Sequence, residues 1–472
     1  MEIRKVDGNT PFCMAAISGN VEIATILLEK NPNLVWSRGH KDMLPIHLAS
    51  SAGHPRMVEF LFQNTRQDIH INLPFPDIVT LFFLTITNNI YTVAWNLLDK
   101  YPILASTENE ERRTPLQVLA QLPLCQNAPG YQDILSLLFE GMEEEFLNSE
   151  RTSEAMFDAA KSGNVMILEF IFKYNPALLT KVNSEGQSLL HIAILHRHVT
   201  VYRLIKSKGA YKNVMLQLVD YDGNNVLHLA GKLAAEGRFG SPMHQVLICS
   251  EELWFKEVEK TAPPALKTKV NRDGWRPREV FYREHKELSE KAVCELNGIA
   301  NNFLVVGTLV VTLGISAALT IRTNNISGET PVFDQNRWYI IFIVSVAFGI
   351  SFCAVSMLLF TSVILPSKWM PDQCFVSFRL TRIVGGCLLL YASVGILGTI
   401  SVMSGTVLVY NFFPKWIFCA IASLSAIPVI LSFVIYHYSL YLAKHLILAF
   451  CEEAAMRTLS RVGIKWTPFY FG

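Results

Sequence analysis

The sequence predicts an all-α protein, with an interrupted helical-repeat solenoid followed by a four-helix transmembrane bundle. Three observations lead to this prediction. A short motif recurs in the first 300 residues at intervals of about 33 residues or their multiples. Four long apolar runs follow residue 300. Charged residues make up only 17% of the chain, well below the usual quarter, and they are concentrated before those runs.

Composition excludes several classes of function. The formal net charge of +1 gives no reason to expect a nucleic-acid partner. None of the nine cysteines lies at C-x-x-C spacing, so we expect neither a metal centre nor a redox motif, and no cofactor. The N-terminus has no apolar signal-peptide core, which places the soluble half in the cytosol. The first repeat opens within ten residues of Met1 without a capping unit, which raises the expectation of a truncated or alternative start.

The recurring motif opens with turn residues and a proline. DGNTPFCMAAISGN starts at Asp7 and KDMLPIHLASSAGH at Lys41, so Pro45 follows Pro11 by 34 positions, and Pro115 lies two periods further on. Proline suits the first turn of a helix, where its missing N–H would be unpaired anyway. A turn followed by two helices, with a T-P-L-H-x-A-like opening, resembles the ankyrin repeat. The predicted solenoid is therefore an interrupted ankyrin-repeat array.

Three histidines occupy one equivalent position of the motif: His47, His191 and His228. The resemblance to ankyrin repeats implies that this imidazole is structural and bonds backbone between neighbouring units. His196 and His198 lie near the following turn, and we expect them to be solvated. The alternative is a metal site built from H-x4-H-x-H at 191–198, but no set of cysteines and carboxylates lies nearby to complete it.

Composition shifts divide the chain into six segments. The third repeat, from Phe75, is degenerate, and its LFFLTI is too short to span a bilayer, so we expect a buried repeat helix there. The predicted segments are ankyrin repeats at 1–120, an insertion or spacer helix at 121–150, ankyrin repeats at 151–235, a helical linker with a partial repeat at 236–300, a four-span transmembrane domain at 301–448 and a cytosolic tail at 449–472.

The apolar runs cover 303–321, 338–365, 383–410 and 416–441, and none contains Asp, Glu, Lys or Arg. Each reaches or nearly reaches the roughly 20 residues that a spanning helix needs. Small residues recur in them, including Gly307, Gly385 and Gly386. They favour close helix packing, and the alternative is a polar lining for a conduction path.

Basic residues predict the orientation of the spans. The loop between the second and third spans and the C-terminal tail carry most of the basic residues near the membrane, so both termini are expected in the cytosol. The first loop then faces the lumen or the cell exterior, which makes the sequon at Asn325 a candidate glycosylation site. The sequence does not choose between the plasma membrane and the endoplasmic reticulum.

The order of these segments resembles the plant ankyrin-repeat membrane proteins that end in a PGG domain. The resemblance is carried by AGKL at 230–233, ELWFKEVEK at 252–260, NRDGWRPREVFYREHKEL at 271–288 and the first span with its lead-in at 292–319. The Pro-Gly-Gly after the first span is replaced by TIRTNNISGE. The resemblance implies membrane-anchored signalling in plant stress and salicylic-acid-dependent defence, and related proteins are associated with calcium entry.

Two functions compete. The first is an interaction protein whose ankyrin surface recruits cytosolic proteins to a membrane. Its transmembrane bundle anchors it in the lipid bilayer and could also form homo-oligomers. The second is a cation channel or channel subunit regulated by the ankyrin part, although no filter sequence or intramembrane carboxylate is present. We expect no enzyme, because the motifs of kinases, P-loop proteins, metalloproteases and zinc-dependent acyltransferases are absent from the sequence.

Overall fold

A computed structural model describes residues 8–65, 73–122, 129–234, 243–323, 337–365 and 375–398. The described residues form α-helices with short 3-10 turns and one isolated bridge, between Val182 and Ser188. The α-helices are α1 Pro11–Ser18, α2 Val21–Lys30, α3 Pro45–Ser51, α4 Pro55–Thr65, α5 Phe75–Thr87, α6 Tyr91–Lys100, α7 Pro115–Gln121, α8 Tyr131–Glu140, α9 Glu144–Leu147, α10 Glu150–Ser162, α11 Val165–Tyr174, α12 Leu189–Leu195, α13 Val199–Ser207, α14 Ala210–Gln217, α15 Val226–Gly231, α16 His244–Thr261, α17 Pro277–Glu284, α18 Lys286–Thr323, α19 Arg337–Ile364 and α20 Phe375–Ile396.

The chain divides into two compact units. The first comprises residues 1–235 and 258–281, and the second comprises residues 236–257 and 282–472. The helix α16 contributes to both units, and so does α17.

The first unit is a stack of helix pairs arranged in two rows. The inner row runs through α1, α3, α5, α7, α10, α12 and α15, each of which contacts the next. The outer row runs in the same way through α2, α4, α6, α8, α11 and α13. The degenerate third repeat supplies α5 and α6 to these rows. Within it, Leu81, Phe82, Phe83 and Ile86 are buried, which confirms the expectation of a buried repeat helix.

The turns of the first repeat show how the sequence produces a helix pair. Pro11 is the first residue of α1, and the Thr10 side chain accepts a hydrogen bond from the Cys13 amide at 3.2 Å. Gly19 ends the helix at φ +70°, a conformation that suits glycine. Asn20 then caps α2 by accepting from the Ile23 amide at 3.0 Å. These caps make the inter-helix turn two residues long.

The second unit contains three helices that are long and apolar enough to cross a membrane, over Lys286–Leu319, Ile340–Ile364 and Phe378–Ile396. At 1.5 Å per residue, 25 residues span about 37 Å, more than the roughly 30 Å of a bilayer core. The first is continuous from Lys286, so it runs through the boundary that we placed at residue 300 on composition. The fourth predicted span, the end of the third and the tail lie outside the described residues.

Candidate interaction surface and the bonds that position it

Three consecutive loops of the first unit are built in the same way. They cover 183–187, 220–224 and 271–275, and together they are called the loop row. In each loop, the backbone N–H of the first residue donates to the backbone carbonyl of the fifth. The N···O distance is 2.9 Å in the loop that begins at Asn183, and 3.0 Å in those that begin at Asp220 and Asn271. The side-chain oxygen of that first residue accepts the amide of the fifth at 2.8, 2.7 and 2.9 Å. The N-x-x-G and D-x-x-G openings therefore encode closed turns.

Hydrogen bonds also join each loop of the row to the next. The Tyr221 amide donates to the Glu185 carbonyl at 3.1 Å, and the Arg272 amide donates to the Asp222 carbonyl at 2.9 Å. A Cβ added at Gly186 would lie 2.9 Å from the Tyr221 ring, so the absence of a side chain there lets the tyrosine pack over the neighbouring loop. The loop row is therefore one continuous, cross-linked surface.

The loop row presents aromatic and charged side chains to solvent. Tyr221 is 59% exposed and Trp275 is 38% exposed. Glu185, Asp222 and Arg272 are also exposed beside them. Tyrosine, tryptophan and arginine are the residues that most often dominate the binding energy of protein interfaces. A rigid backbone that displays them can recognise a partner with little ordering of its own.

The motif histidines lie near the start of the inner helices, and His191 and His228 closely follow the first two loops of the loop row. Nδ1 of His228 accepts from the Asn225 amide at 3.1 Å, and Nε2 lies 2.9 Å from the Trp275 carbonyl in the next loop. His47 Nε2 likewise lies 2.9 Å from the Asp77 carbonyl of the following repeat. Each of these two imidazoles therefore joins its own repeat to a backbone carbonyl of the next repeat.

The Nδ1 atom of His191 makes its hydrogen bonds within its own repeat. It lies 2.7 Å from Ser188 Oγ and accepts from the Ser188 amide at 3.2 Å, which closes a capping box at the start of α12. Burial lowers the pKa of His191 to about 4, against a smaller opposing effect of the Asp220 charge. Burial also lowers the pKa values of His47 and His228. All three imidazoles are therefore neutral near pH 7.

The three motif prolines each begin an inner helix. Pro11, Pro45 and Pro115 are the first residues of α1, α3 and α7. At Pro115 the preceding Thr114 forms a capping box with Gln117, whose amide donates to Thr114 Oγ1 at 3.3 Å. The prolines therefore set the starts of these helices.

The prediction that His198 is solvated was wrong. It is buried, and its Nε2 lies 2.6 Å from the Lys161 carbonyl of the preceding repeat. Sequence analysis also missed His54, whose Nε2 lies 2.9 Å from the Ile17 carbonyl of the preceding repeat. Both residues directly precede an outer helix, and each ring packs where a Cβ on the preceding repeat's turn glycine would otherwise lie. The shared signal is a histidine at the residue before the second helix.

The three histidines of the H-x4-H-x-H pattern do not converge on one point. His191 faces the Ser188 cap and His198 faces the Lys161 carbonyl, while His196 is half-buried with its ring centroid 6.4 Å from that of His198. Across the described ranges, no group of three or more His, Cys, Asp and Glu side chains could hold a metal ion. The sequon at Asn325 lies outside the described residues.

Glycines of the apolar helices lie at close contacts between neighbouring helices. A Cβ at Gly307 would meet Met357 at 2.9 Å, and one at Gly386 would meet the Phe360 ring at 2.8 Å, whereas Gly385 has only an ordinary contact at 3.7 Å. The carbonyls of Gly307 and Gly386 accept hydrogen bonds from neighbouring helices. Cys353 Sγ donates to Gly307 at 3.3 Å, and Ser356 Oγ donates to Gly386 at 2.6 Å. The geometry is that of helix packing.

The described residues form a helical repeat stack with an exposed aromatic loop surface, and three further helices are long and apolar enough to cross a membrane. This combination is typical of interaction proteins that are anchored in membranes. A family model described as ankyrin repeats, in three copies, matches residues 1–73. The chain is also 27% identical over 132 residues to an ankyrin repeat domain-containing protein, SAT10, of Stachybotrys chartarum. That match covers 26% of this chain and only 6% of the length of SAT10. The chain therefore contains ankyrin repeats, which usually bind protein partners.

Proposed function

We propose that this chain is a non-catalytic, membrane-anchored ankyrin-repeat protein that recruits a cytosolic partner to a membrane through its loop row. The observation that carries the proposal is the pairing of two surfaces in one chain. The loop row exposes Tyr221 and Trp275 on a cross-linked backbone, and the apolar helices expose large aliphatic side chains, such as Leu309 and Leu313, along their length. The first surface suits a protein, and the second suits lipid.

The finer part of the proposal concerns topology and pathway. The proposal has both termini in the cytosol, with the repeats facing cytosolic proteins, in either the plasma membrane or the endoplasmic reticulum. The resemblance of 230–233, 252–260, 271–288 and 292–319 to plant PGG-domain proteins supports a role in stress or defence signalling, including salicylic-acid-dependent responses. The altered sequence after the first span argues against any role that needs the Pro-Gly-Gly itself.

The test uses the full-length protein in cells and in liposomes. Proximity labelling from the N-terminus would identify candidate cytosolic neighbours, and each purified candidate would then be mixed with liposomes that hold the chain. We expect one candidate to float with these liposomes and to be released when Tyr221→Ala and Trp275→Ala are combined. The matched control is Tyr174→Ala, which removes a similarly exposed aromatic side chain from the outer row.

Two results would contradict the proposal. Extraction of the full-length protein from cell membranes by alkaline carbonate would contradict membrane anchoring. Equal recruitment of the partner by the loop-row double variant and by the Tyr174→Ala control would contradict recognition through the loop row.

A further inference from the structure

A groove of about 540 Å³ lies between the outer helices α6 and α8. Trp95 and Asn96 of α6 form one wall, and Asp133, Ser136 and Glu140 of α8 form the other. Its volume falls within the range of ligand-binding clefts. Because both helices belong to the outer row, the groove is separate from the loop row, and it goes beyond the function proposed above.

The connection that precedes α8 is longer than the compact turns of other helix pairs in the stack. Nine residues separate α7 from α8, whereas two separate α1 from α2 and two separate α10 from α11. The helix α8 starts directly after Gly130, at φ +84°, where a Cβ would lie 3.3 Å from Tyr91 Cβ. The glycine thus allows the start of α8 to lie against α6.

Buried contacts hold the starts of α6 and α8 in place beside the groove. The rings of Tyr91 and Tyr131 meet edge to face at 5.3 Å between centroids. Tyr91 donates its hydroxyl to Asn89 Oδ1 at 2.7 Å, and the Tyr131 hydroxyl accepts from Asn164 Nδ2 at 2.6 Å. Both tyrosines are almost fully buried. A groove held in this way exists before a ligand arrives, which lowers the ordering cost of binding.

The groove is acidic. None of the nine residues that line it is Lys or Arg, and the exposed Asp133 and Glu140 make no ion pair within the part of the chain that the structure describes. A third carboxylate stands beside it, because Thr92 donates to Glu59 Oε1 at 2.7 Å. Asp133 and Glu140 are seven residues apart on one helix face, which separates them by about 10 Å. Two unpaired charges of one sign attract a ligand of the opposite sign.

Trp95 adds a surface that favours a cation. Its side chain is 38% exposed on the wall opposite the two carboxylates. The face of an indole attracts Lys and Arg side chains, with Arg the more frequent partner. Asn96 lines the same wall and Ser136 the opposite one, where each offers groups that can bond a peptide backbone.

We propose that this groove binds an extended basic segment of a partner protein, with two Arg or Lys side chains three residues apart. In a polyproline II conformation, which repeats every three residues with a rise of about 3.1 Å per residue, these two side chains lie on one face about 9 Å apart, close to the separation of Asp133 and Glu140 along α8. One cationic side chain pairs with each carboxylate, and one of the two also stacks on Trp95. A single metal ion does not fit, because its ligands must lie within about 2.6 Å of it. Anionic lipid headgroups would be repelled.

The test measures peptide binding to the full-length protein in phosphatidylcholine nanodiscs. The probe is a dye-labelled peptide with an Arg-Ala-Ala-Arg core, and the readout is fluorescence anisotropy at two ionic strengths. We expect saturable binding that weakens as salt is added. Combining Asp133→Asn with Glu140→Gln should lower the affinity by about tenfold, since two ion pairs are lost. Trp95→Ala should lower it by about threefold.

The matched control combines Glu22→Gln with Glu29→Gln. It removes two exposed carboxylates that are likewise seven residues apart on an outer helix, α2, and it should leave the affinity unchanged. A charge-reversed groove, with Asp133→Lys and Glu140→Lys, should lose the arginine peptide and bind one with a Glu-Ala-Ala-Glu core. Circular dichroism melts of each variant would show that the fold is kept.

The proposal is overturned if wild-type protein binds the arginine and glutamate peptides equally, or if the groove and α2 variants bind the arginine peptide equally. Absence of binding by the wild type would also overturn it. The loop-row variant with Tyr221→Ala and Trp275→Ala should bind the arginine peptide normally, so failure of the groove proposal and failure of the recruitment proposal give different results.

Discussion

The repeat stack and the apolar helices use glycine in different backbone conformations. In the stack, Gly19 and Gly163 end helices at φ +70° and +84°, and the histidine ring of the next repeat packs onto each of them. In the apolar helices, Gly307 and Gly386 lie within regular helix, where the missing Cβ admits a side chain of the neighbouring helix. Turn glycines of the first unit are needed both for their backbone freedom and for their small volume, whereas Gly307 and Gly386 are needed for their small volume alone.

Polar groups between elements follow the same division. Neighbouring repeats are joined by imidazoles that reach backbone carbonyls, as His228 reaches that of Trp275. Neighbouring apolar helices are joined by hydroxyl or thiol groups that donate to glycine carbonyls, as Ser393 Oγ does to Gly349 at 2.6 Å. An imidazole needs a cavity at a loop, while a serine needs two backbones in close approach. Each unit therefore has its own sensitive positions.

The largest expected effect is at Gly386. Gly386→Val should destabilise the apolar helices by about 3 kcal/mol, because the new side chain overlaps the Phe360 ring and lengthens the Ser356 hydrogen bond to the glycine carbonyl. The measurement is the rate of maleimide labelling of the buried Cys353, read by mass spectrometry as temperature rises. Gly385→Val is the adjacent control and should change that rate little. Labelling of Cys13 in the repeat stack should be unaffected, and equal acceleration at both cysteines would contradict the division.

The next effect is a pH dependence of the repeat stack. Burial holds the pKa of His191 at about 4, against 6.5 for the exposed group, so the unfolded chain binds more protons between these two values. The contribution of neutral His191 is complete above pH 6.5 and is lost as the pH falls towards 4. The loss reaches about 3 kcal/mol at pH 4.

The measurement for this prediction is the urea midpoint of the full-length protein from pH 7 to pH 4. His191→Gln keeps a side-chain acceptor near the Ser188 amide and removes the titrating group, so its stability should fall less steeply with acid. A slope equal to that of the wild type would show that other groups control the acid response of this unit.

His228→Leu should cost about 2 kcal/mol. The substitution leaves the buried Asn225 amide without its imidazole acceptor and removes the bond to the Trp275 carbonyl, which joins α15 to the 271–275 loop. Hydrogen exchange should rise in Val226–Gly231 and in the 271–275 loop. Exchange in α1 and α2 is the internal control, because stacked repeats contact only their neighbours. Uniformly faster exchange across the stack would contradict a local role.

Spacing and composition predicted ankyrin repeats and long apolar helices; a family model confirms ankyrin repeats at 1–73, and the described residues contain three of the four predicted apolar helices. Such features depend on residues close in sequence, such as Pro11 before α1 or an uninterrupted apolar run. The capping turns of the loop row also follow from local N-x-x-G and D-x-x-G openings. The bonds between loops could not be predicted in this way, because Tyr221 and Glu185 meet only after the repeats stack.

The remaining differences have the same cause. His198 has no apolar neighbour pattern that marks it as buried, and its burial depends on the space above Gly163 in the preceding repeat. The segment 121–150 read as a spacer because its turn lacks the repeat signature, yet α8 within it contacts α6 and α11 in the outer row. The acidic groove follows from that placement. Contacts between repeats, rather than patterns within them, determine both features.

The smallest expected effect separates the two requirements for glycine within one unit. Gly53→Ala should cost only about 1 kcal/mol, because φ is +75° but a Cβ there would meet nothing closer than Asn88 Oδ1 at 3.9 Å. Gly19→Ala shares the left-handed backbone, and its Cβ would also lie 2.7 Å from the His54 ring. It should cost about 1 kcal/mol more, since displacement of the ring breaks the bond to the Ile17 carbonyl. The difference in the urea midpoints of the two variants measures this ring contact alone, and adding His54→Ala to both should abolish it. If the difference persists without the imidazole, the turn glycines are needed for backbone conformation only, and packing of one repeat's histidine on the preceding repeat's turn contributes nothing to the stack.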